Sequence, residues 1–194
     1  TKALTFDIGG GSTEFMWANR PTPDQLPEVL GWSTVPYGVM NLSEQFGGTS
    51  FTEMYFDEIV GRIAEMLSRF DEEHGIRETM ERDEVQLLST SGTVTTLAAI
   101  HLELPRYDRS KIDGICLKLD DLRASTQTLM DMTPSERYQH PCVGSQRADY
   151  IISGCAILEA IHATWPFAEI TIADRGVREG IIMGLVLDKD GNNE

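Results

Sequence analysis

The chain has 194 residues, with 16 Lys or Arg against 31 Asp or Glu, a formal net charge of −15 with neutral histidines. At a pI of about 4.6 it is repelled by phosphate backbones, which excludes DNA binding by bulk charge and confines any polyanion to a locally arranged pocket. Its 41% hydrophobic content suffices for a sizeable core in one or two domains, and no stretch approaches the roughly 18 apolar residues a membrane span needs.

The chain starts at Thr1-Lys2 without a Met and enters a strand-like run by Ala3, which reads as a fragment of a longer protein. Ala3 to Ile8 and Thr13 to Ala18, joined by Gly9-Gly10-Gly11-Ser12, read as a hairpin, and Leu30 to Tyr37 as a third strand. Between the second and third, the proline-containing stretch Asn19 to Pro27 reads as a surface turn. From Thr52 to His74 apolar residues recur at three- and four-residue steps, giving a helix capped by Thr52 and ended by Gly75.

Glu84 to Thr90 then reads as a buried strand, and Ser91-Gly92-Thr93 turns it into a helix reaching Leu102. Glu103 to Gly114 is expected as a charged loop and Ile115 to Leu119 as an edge strand. Helices follow at Asp120 to Met132, Pro134 to Tyr138 and Gln146 to Ala163, then a strand at Ala168 to Ala173. Val177 to Leu187 forms the last helix, whose apolar run from Ile181 reads as a buried helix end, before the polar tail 188–194. The order implies an α/β fold with a mixed sheet, three consecutive strands preceding alternating helices and strands.

The most informative string is Asp7-Ile8-Gly9-Gly10-Gly11-Ser12-Thr13-Glu14. Consecutive glycines let several backbone N–H groups converge on an anion, and phosphate is the natural guest. Ser12 and Thr13 add hydroxyls, while Asp7 and Glu14 are oxygen ligands suited to Mg²⁺, or able to orient a water. The same string also reads as a plain hairpin turn with solvated carboxylates. Ser91-Gly92-Thr93 offers a helix N-terminus to negative charge, and Asp174-Arg175-Gly176-Val177-Arg178-Glu179-Gly180 again passes from strand to helix. Taken singly, both of these are capping turns; together with the first they suggest a phosphate cleft.

Asp7 to Glu14, Ser91-Gly92-Thr93 and Asp174 to Gly180 resemble the successive signature motifs of the exopolyphosphatase and guanosine pentaphosphate phosphohydrolase family, Ppx/GppA. Arg147-Ala148-Asp149 with Gly154 resembles a further family segment. The resemblance implies an actin-like, ribonuclease-H-like fold of two lobes closing on a phosphate chain, with residues 1–187 as the second lobe. It implies Asp7 and Glu14 near the metal and the attacking water. It also implies phosphate contacts from Gly9, Gly10, Gly11, Ser12, Thr13, Ser91, Gly92, Thr93 and Arg147, with Gly176 in the motif that closes the cleft.

The resemblance further implies Mg²⁺ as cofactor, polyphosphate or guanosine pentaphosphate as substrate, and an upstream lobe of the same polypeptide carrying the catalytic base. A homodimer is left open. Competing readings are a module that binds guanosine tetra- or pentaphosphate without cleaving it, and an actin-like ATPase or sugar kinase.

Cys116, Cys142 and Cys155, odd in number and without a CxxC pair, point to free thiols and a cytoplasmic location; Cys116 and Cys155 lie in apolar runs and are expected to be buried. Trp17, Trp32 and Trp165 are expected to pack in the core or at an edge, Asp71-Glu72-Glu73 to be a solvated helix end, and His140 with Cys142 to lack the further ligands of a zinc site.

Overall fold

Period-two alternation organises the first three strands, β1 (Lys2–Ile8), β2 (Thr13–Asn19) and β3 (Glu28–Val35), which pair antiparallel in chain order. Leu4, Phe6 and Ile8 share one face with Phe15 and Trp17 and are buried there, while Thr5 and Asp7 take the other face. The computed structural model describes residues 1–22, 25–45, 53–82 and 85–191. The expected Thr52 cap lies outside the described residues.

β4 (Val85–Ser89) runs parallel to β1, and β6 (Glu169–Ile172) parallel to β4. β5 (Cys116–Lys118) closes the edge antiparallel to β6, so the six-stranded order is β3-β2-β1-β4-β6-β5. The turns after β1, β4 and β6 therefore all emerge at the carboxyl ends of parallel neighbours, the side of an open α/β sheet where ligands collect.

Two long helices cover the apolar face. α2 (Glu53–His74) buries Ile59, Ile63, Leu67 and Phe70 and packs against α8 (Ile151–Thr164). Trp165, fully buried, joins them to the sheet: its ring lies 5.6 Å from Phe15 and 6.3 Å from Phe70, and its Nε1 donates to Asp71 Oδ1 at 2.8 Å. Asp71 also accepts from the Arg77 N–H at 2.7 Å. Of the acidic run, only Glu72 and Glu73 are exposed, and Asp71 fastens the helix end to the core. Gly75, at φ +59°, ends α2 in the left-handed region that glycine adopts without steric cost.

Several boundaries differ from the sequence reading. A seven-residue helix, α1 (Val39–Gln45), follows β3, and another, α3 (Ile76–Arg82), follows Gly75; both are too short to show a helical period. α4 (Gly92–His101) starts where expected, and the charged loop contains one turn of helix, α5 (Arg109–Ile112), capped by Asp108. α6 (Leu119–Asp131) and α7 (Pro134–Gln139) match their predictions within a residue or two, α7 through a Thr133–Glu136 capping box.

α8 begins at Ile151 rather than Gln146. Gly144 at φ +72° and Tyr150 at φ −127° interrupt the helix, so residues 141–150 fold as turns. Cys116 is exposed, because edge strand β5 turns Leu117 inward and Cys116 and Lys118 outward, whereas Cys142 and Cys155 are buried. α9 (Val177–Gly191) overturns the expectation of a buried helix end. Ile181, Ile182, Met183, Leu185 and Val186 are all exposed, because a short run that is apolar all round carries no facing information and no described element covers it. No described helix is long and apolar enough to cross a membrane.

Candidate phosphate site

Ile8, Gly9 and Gly10 from the turn after β1, Gly92 and Thr93 from the start of α4, and Arg147 from the turns before α8 line one cavity of about 370 Å³. The parallel pairing of β1 and β4 brings the glycine turn beside the start of α4, and hydrogen bonds to Gly92 O and Thr96 Oγ1 hold Arg147 over it.

In the glycine turn, Gly9 N–H closes on Ser12 O at 2.9 Å, while the N–H groups of Gly10, Gly11 and Ser12 meet no acceptor among the described residues. A Cβ added at Gly11 would meet nothing within 4 Å, so this turn faces open space. Three unpaired N–H groups in succession are donors open to an anion, and of these residues Gly10 lines the cavity.

At α4, Ser91 caps the helix: its side chain accepts from Thr93 N at 3.1 Å, and its own N–H donates to Ser89 Oγ at 3.2 Å. Arg147 lies over this end. Its Nη1 donates to Thr96 Oγ1 at 2.8 Å and to Gly92 O at 3.2 Å, leaving Nη2 and Nε without an acceptor among the described residues. A Cβ on Gly92 would stand 3.2 Å from Arg147 Nη2. α8 approaches so closely at Gly154 that any Cβ there would overlap the Thr93 side chain.

Asp7 and Glu14 are cross-strand partners at the mouth of the hairpin but do not line the cavity; alternation places Asp7 on the opposite face of the sheet from Phe6 and Ile8. Burial pushes the Asp7 carboxyl above the usual carboxylate range; a hydrogen bond with Thr90 opposes this, and the charge of Glu14 adds to it. Asp7 and Glu14 are two facing carboxylates, but no group of three or more His, Cys, Asp or Glu that could hold a metal ion occurs among the described residues. Ser12 turns its hydroxyl to Glu14 Oε1, and Thr13, fully buried, donates to Tyr37 O at 2.8 Å, so neither hydroxyl is directed at the cavity.

The third motif reaches the neighbourhood through Asp174 rather than Gly176. Asp174, Tyr107, Gln146 and Arg147 line an adjoining cavity of about 460 Å³ that shares Gln146 and Arg147 with the first. Tyr107 donates to Asp174 Oδ2 at 2.9 Å, and Arg109 lies 3.7 Å from the same oxygen. Gly176 instead donates its N–H to Glu179 Oε2 at 2.9 Å, outside both cavities. That bond, the Glu179 backbone N–H and Arg109 hold the Glu179 carboxyl down at about 2. Tyr107, Gln146 and Tyr150 carry no motif signal and become site residues only through the fold.

The family model for the Ppx/GppA phosphatase family matches residues 1–189. The chain belongs to this family. Among curated relatives, the guanosine-5'-triphosphate,3'-diphosphate pyrophosphatase of Aeromonas salmonicida is 27% identical over 190 residues, covering 98% of this chain and 34% of its own length. The corresponding Aeromonas hydrophila protein is 28% identical with the same coverage, so this chain spans about a third of these curated relatives.

A crystal structure of the Aquifex aeolicus Ppx/GppA family member has a TM-score of 0.80 at 24% identity, covering 100% of this chain and 58% of that one. An exopolyphosphatase from Cytophaga hutchinsonii has a TM-score of 0.77 at 22% identity, covering 95% of this chain and 56% of that one. The fold is the actin-like one of the Ppx/GppA family.

Proposed function

We propose that this chain is the phosphate-holding second lobe of an enzyme that hydrolyses the terminal phosphoanhydride of guanosine pentaphosphate and of inorganic polyphosphate. The observation that carries this reading is that Gly9 and Gly10 of the glycine turn, Gly92 and Thr93 at the α4 N-terminus and Arg147 line one cavity. The names of the Aeromonas relatives support the nucleotide substrate.

Phosphoryl transfer asks the protein mainly for positioning and charge neutralisation. The N–H groups of Gly10, Gly11 and Ser12 cradle phosphate oxygens, and the free nitrogens of Arg147 bind the oxygens on which charge builds. Gly92 leaves the room that the guanidinium occupies. Asp7 and Glu14 are the residues that would hold Mg²⁺, which when bound supplies further neutralisation of phosphate charge. The base that activates water belongs to the upstream lobe.

Phosphate release from guanosine pentaphosphate and from long-chain polyphosphate, measured with the full-length protein, tests this. Release from either that is lost in Arg147→Ala supports the reading. Tight binding without release would replace it with a sensing module, and neither binding nor release would overturn it.

A further inference from the structure

All three carbonyls of the glycine turn are held from one side. The Val39 N–H donates to Gly9 O at 2.9 Å, the Met40 N–H to Gly10 O at 2.8 Å, and Asn41 Nδ2 to Gly11 O at 2.9 Å. In a trans peptide the carbonyl and the next N–H point in opposite directions, and no peptide among the described residues is cis. The bonds from α1 and Asn41 thereby fix the N–H groups of Gly10, Gly11 and Ser12 in the direction opposite to the bonded carbonyls.

Asn41 is the side chain that makes this possible. Its Oδ1 accepts from the Gly38 N–H at 2.8 Å, and its Nδ2 reaches Pro36 O at 3.1 Å as well as Gly11 O. One donor facing its oxygen and two acceptors facing its nitrogen fix the orientation of the amide. Gly38 is required by the same closeness: a Cβ there would stand 2.5 Å from the carbonyl carbon and oxygen of Gly10 and from Gly9 O. α1 is itself anchored to the segment that carries Arg147, because Ser43 Oγ donates to Asp149 O at 2.9 Å.

We infer that Asn41 and Gly38 are positioning residues for the anion site, a clamp that pre-sets the glycine turn in its binding orientation before any ligand arrives. The inference rests on the proposed reading of the site for its consequence, but the clamp has a signature of its own in the ligand-free protein. Preorganisation lowers the ordering cost of binding, so releasing the clamp weakens affinity without removing any ligand contact.

The test uses the full-length protein. Backbone ¹⁵N relaxation at Gly10, Gly11 and Ser12 is expected to report a rigid turn in the wild type, with order parameters about 0.85, falling below about 0.6 in Asn41→Ala at little change in Tm. Asn41→Asp keeps the acceptor for the Gly38 N–H but loses the donor to Gly11 O. It should loosen the turn like Asn41→Ala, whereas a residue that only caps α1 would be rescued by it.

Calorimetric titration with inorganic triphosphate should show roughly tenfold weaker binding in Asn41→Ala and in Gly38→Ala. A turn that stays rigid in both Asn41 variants overturns the inference, whatever the ligand does. A wild-type protein with a rigid turn and no affinity for triphosphate overturns the site reading instead. Should Asn41→Ala fail to fold, Asn41→Asp and Gly38→Ala decide the matter by the same two readouts.

Discussion

The turn after β1 and the turn after β4 both present N–H groups at the carboxyl end of parallel strands, but they are built differently. The first has no regular structure of its own and is shaped by hydrogen bonds to its carbonyls from α1 and Asn41. The second is the first turn of α4, shaped by its helix, its Ser91 cap and the close passage of α8 at Gly154. A helix N-terminus brings its own dipole and free N–H groups, whereas a glycine turn must be held in shape by its neighbours. Substitutions at the second turn should therefore act through packing, and at the first through orientation.

The largest effect is expected where the two turns meet. Arg147→Ala removes the one cation that both cavities share among the described residues and should lower kcat by about a hundredfold, the scale of losing one oriented transition-state donor. Next comes Gly154→Ala, whose Cβ overlaps Thr93. Overpacking there should cost about 1–3 kcal/mol in urea unfolding and lower activity by displacing the start of α4. Ser91→Ala removes the cap and should cost about 1 kcal/mol, read by the same unfolding measurement, with a smaller loss of activity.

The first turn should respond by position rather than by size. Gly10→Ala places a Cβ 3.1 Å from Met40 Sδ, a flexible neighbour, whereas Gly11→Ala meets nothing within 4 Å. Gly11→Ala should thus leave Tm within about 1 °C and change KM least of all the substitutions here, surface changes in open space being near neutral. A large loss of stability at Gly11 would break the comparison.

Asp7 offers a test with the opposite sign for stability and activity. Its folded-state pKa is raised by burial, so the folded protein holds that proton more tightly than the unfolded chain does. Its contribution is therefore present at low pH and lost as pH rises through the raised value. Asp7→Asn should abolish turnover and yet raise Tm at neutral pH, in the absence of divalent cations. A lowered Tm would show that the carboxylate is needed for the fold rather than for the chemistry.

Much of this was legible in the sequence because it rests on local rules. The β-prone runs Ala3 to Ile8 and Thr13 to Ala18, the helical period of α2 and the strand-to-helix turn at Ser91 are all short-range signals. Gly9, Gly10, Gly92, Thr93 and Arg147 line one cavity, whereas Gly11, Ser12, Thr13, Ser91 and Gly176 do not. What could not be read is where long-range packing decides. Thr13 looks like a phosphate ligand by its place in the motif, but its pleat turns it inward to Tyr37 O. Tyr107 and Asp174 are 67 residues apart and meet only because β6 ends beside the loop before α5. Val39 to Asn41 shape the glycine turn from a helix of two turns, too short to leave a period.

The most direct test of the central claim, that the two turns and Arg147 form one anion site, is a titration of the ¹⁵N-labelled full-length protein with inorganic triphosphate. The amide signals of Gly10, Gly11, Ser12 and Gly92 are expected to shift together along one saturation curve, which weakens as a whole in Arg147→Ala. Shifts confined to one turn, or two curves with different midpoints, would contradict it.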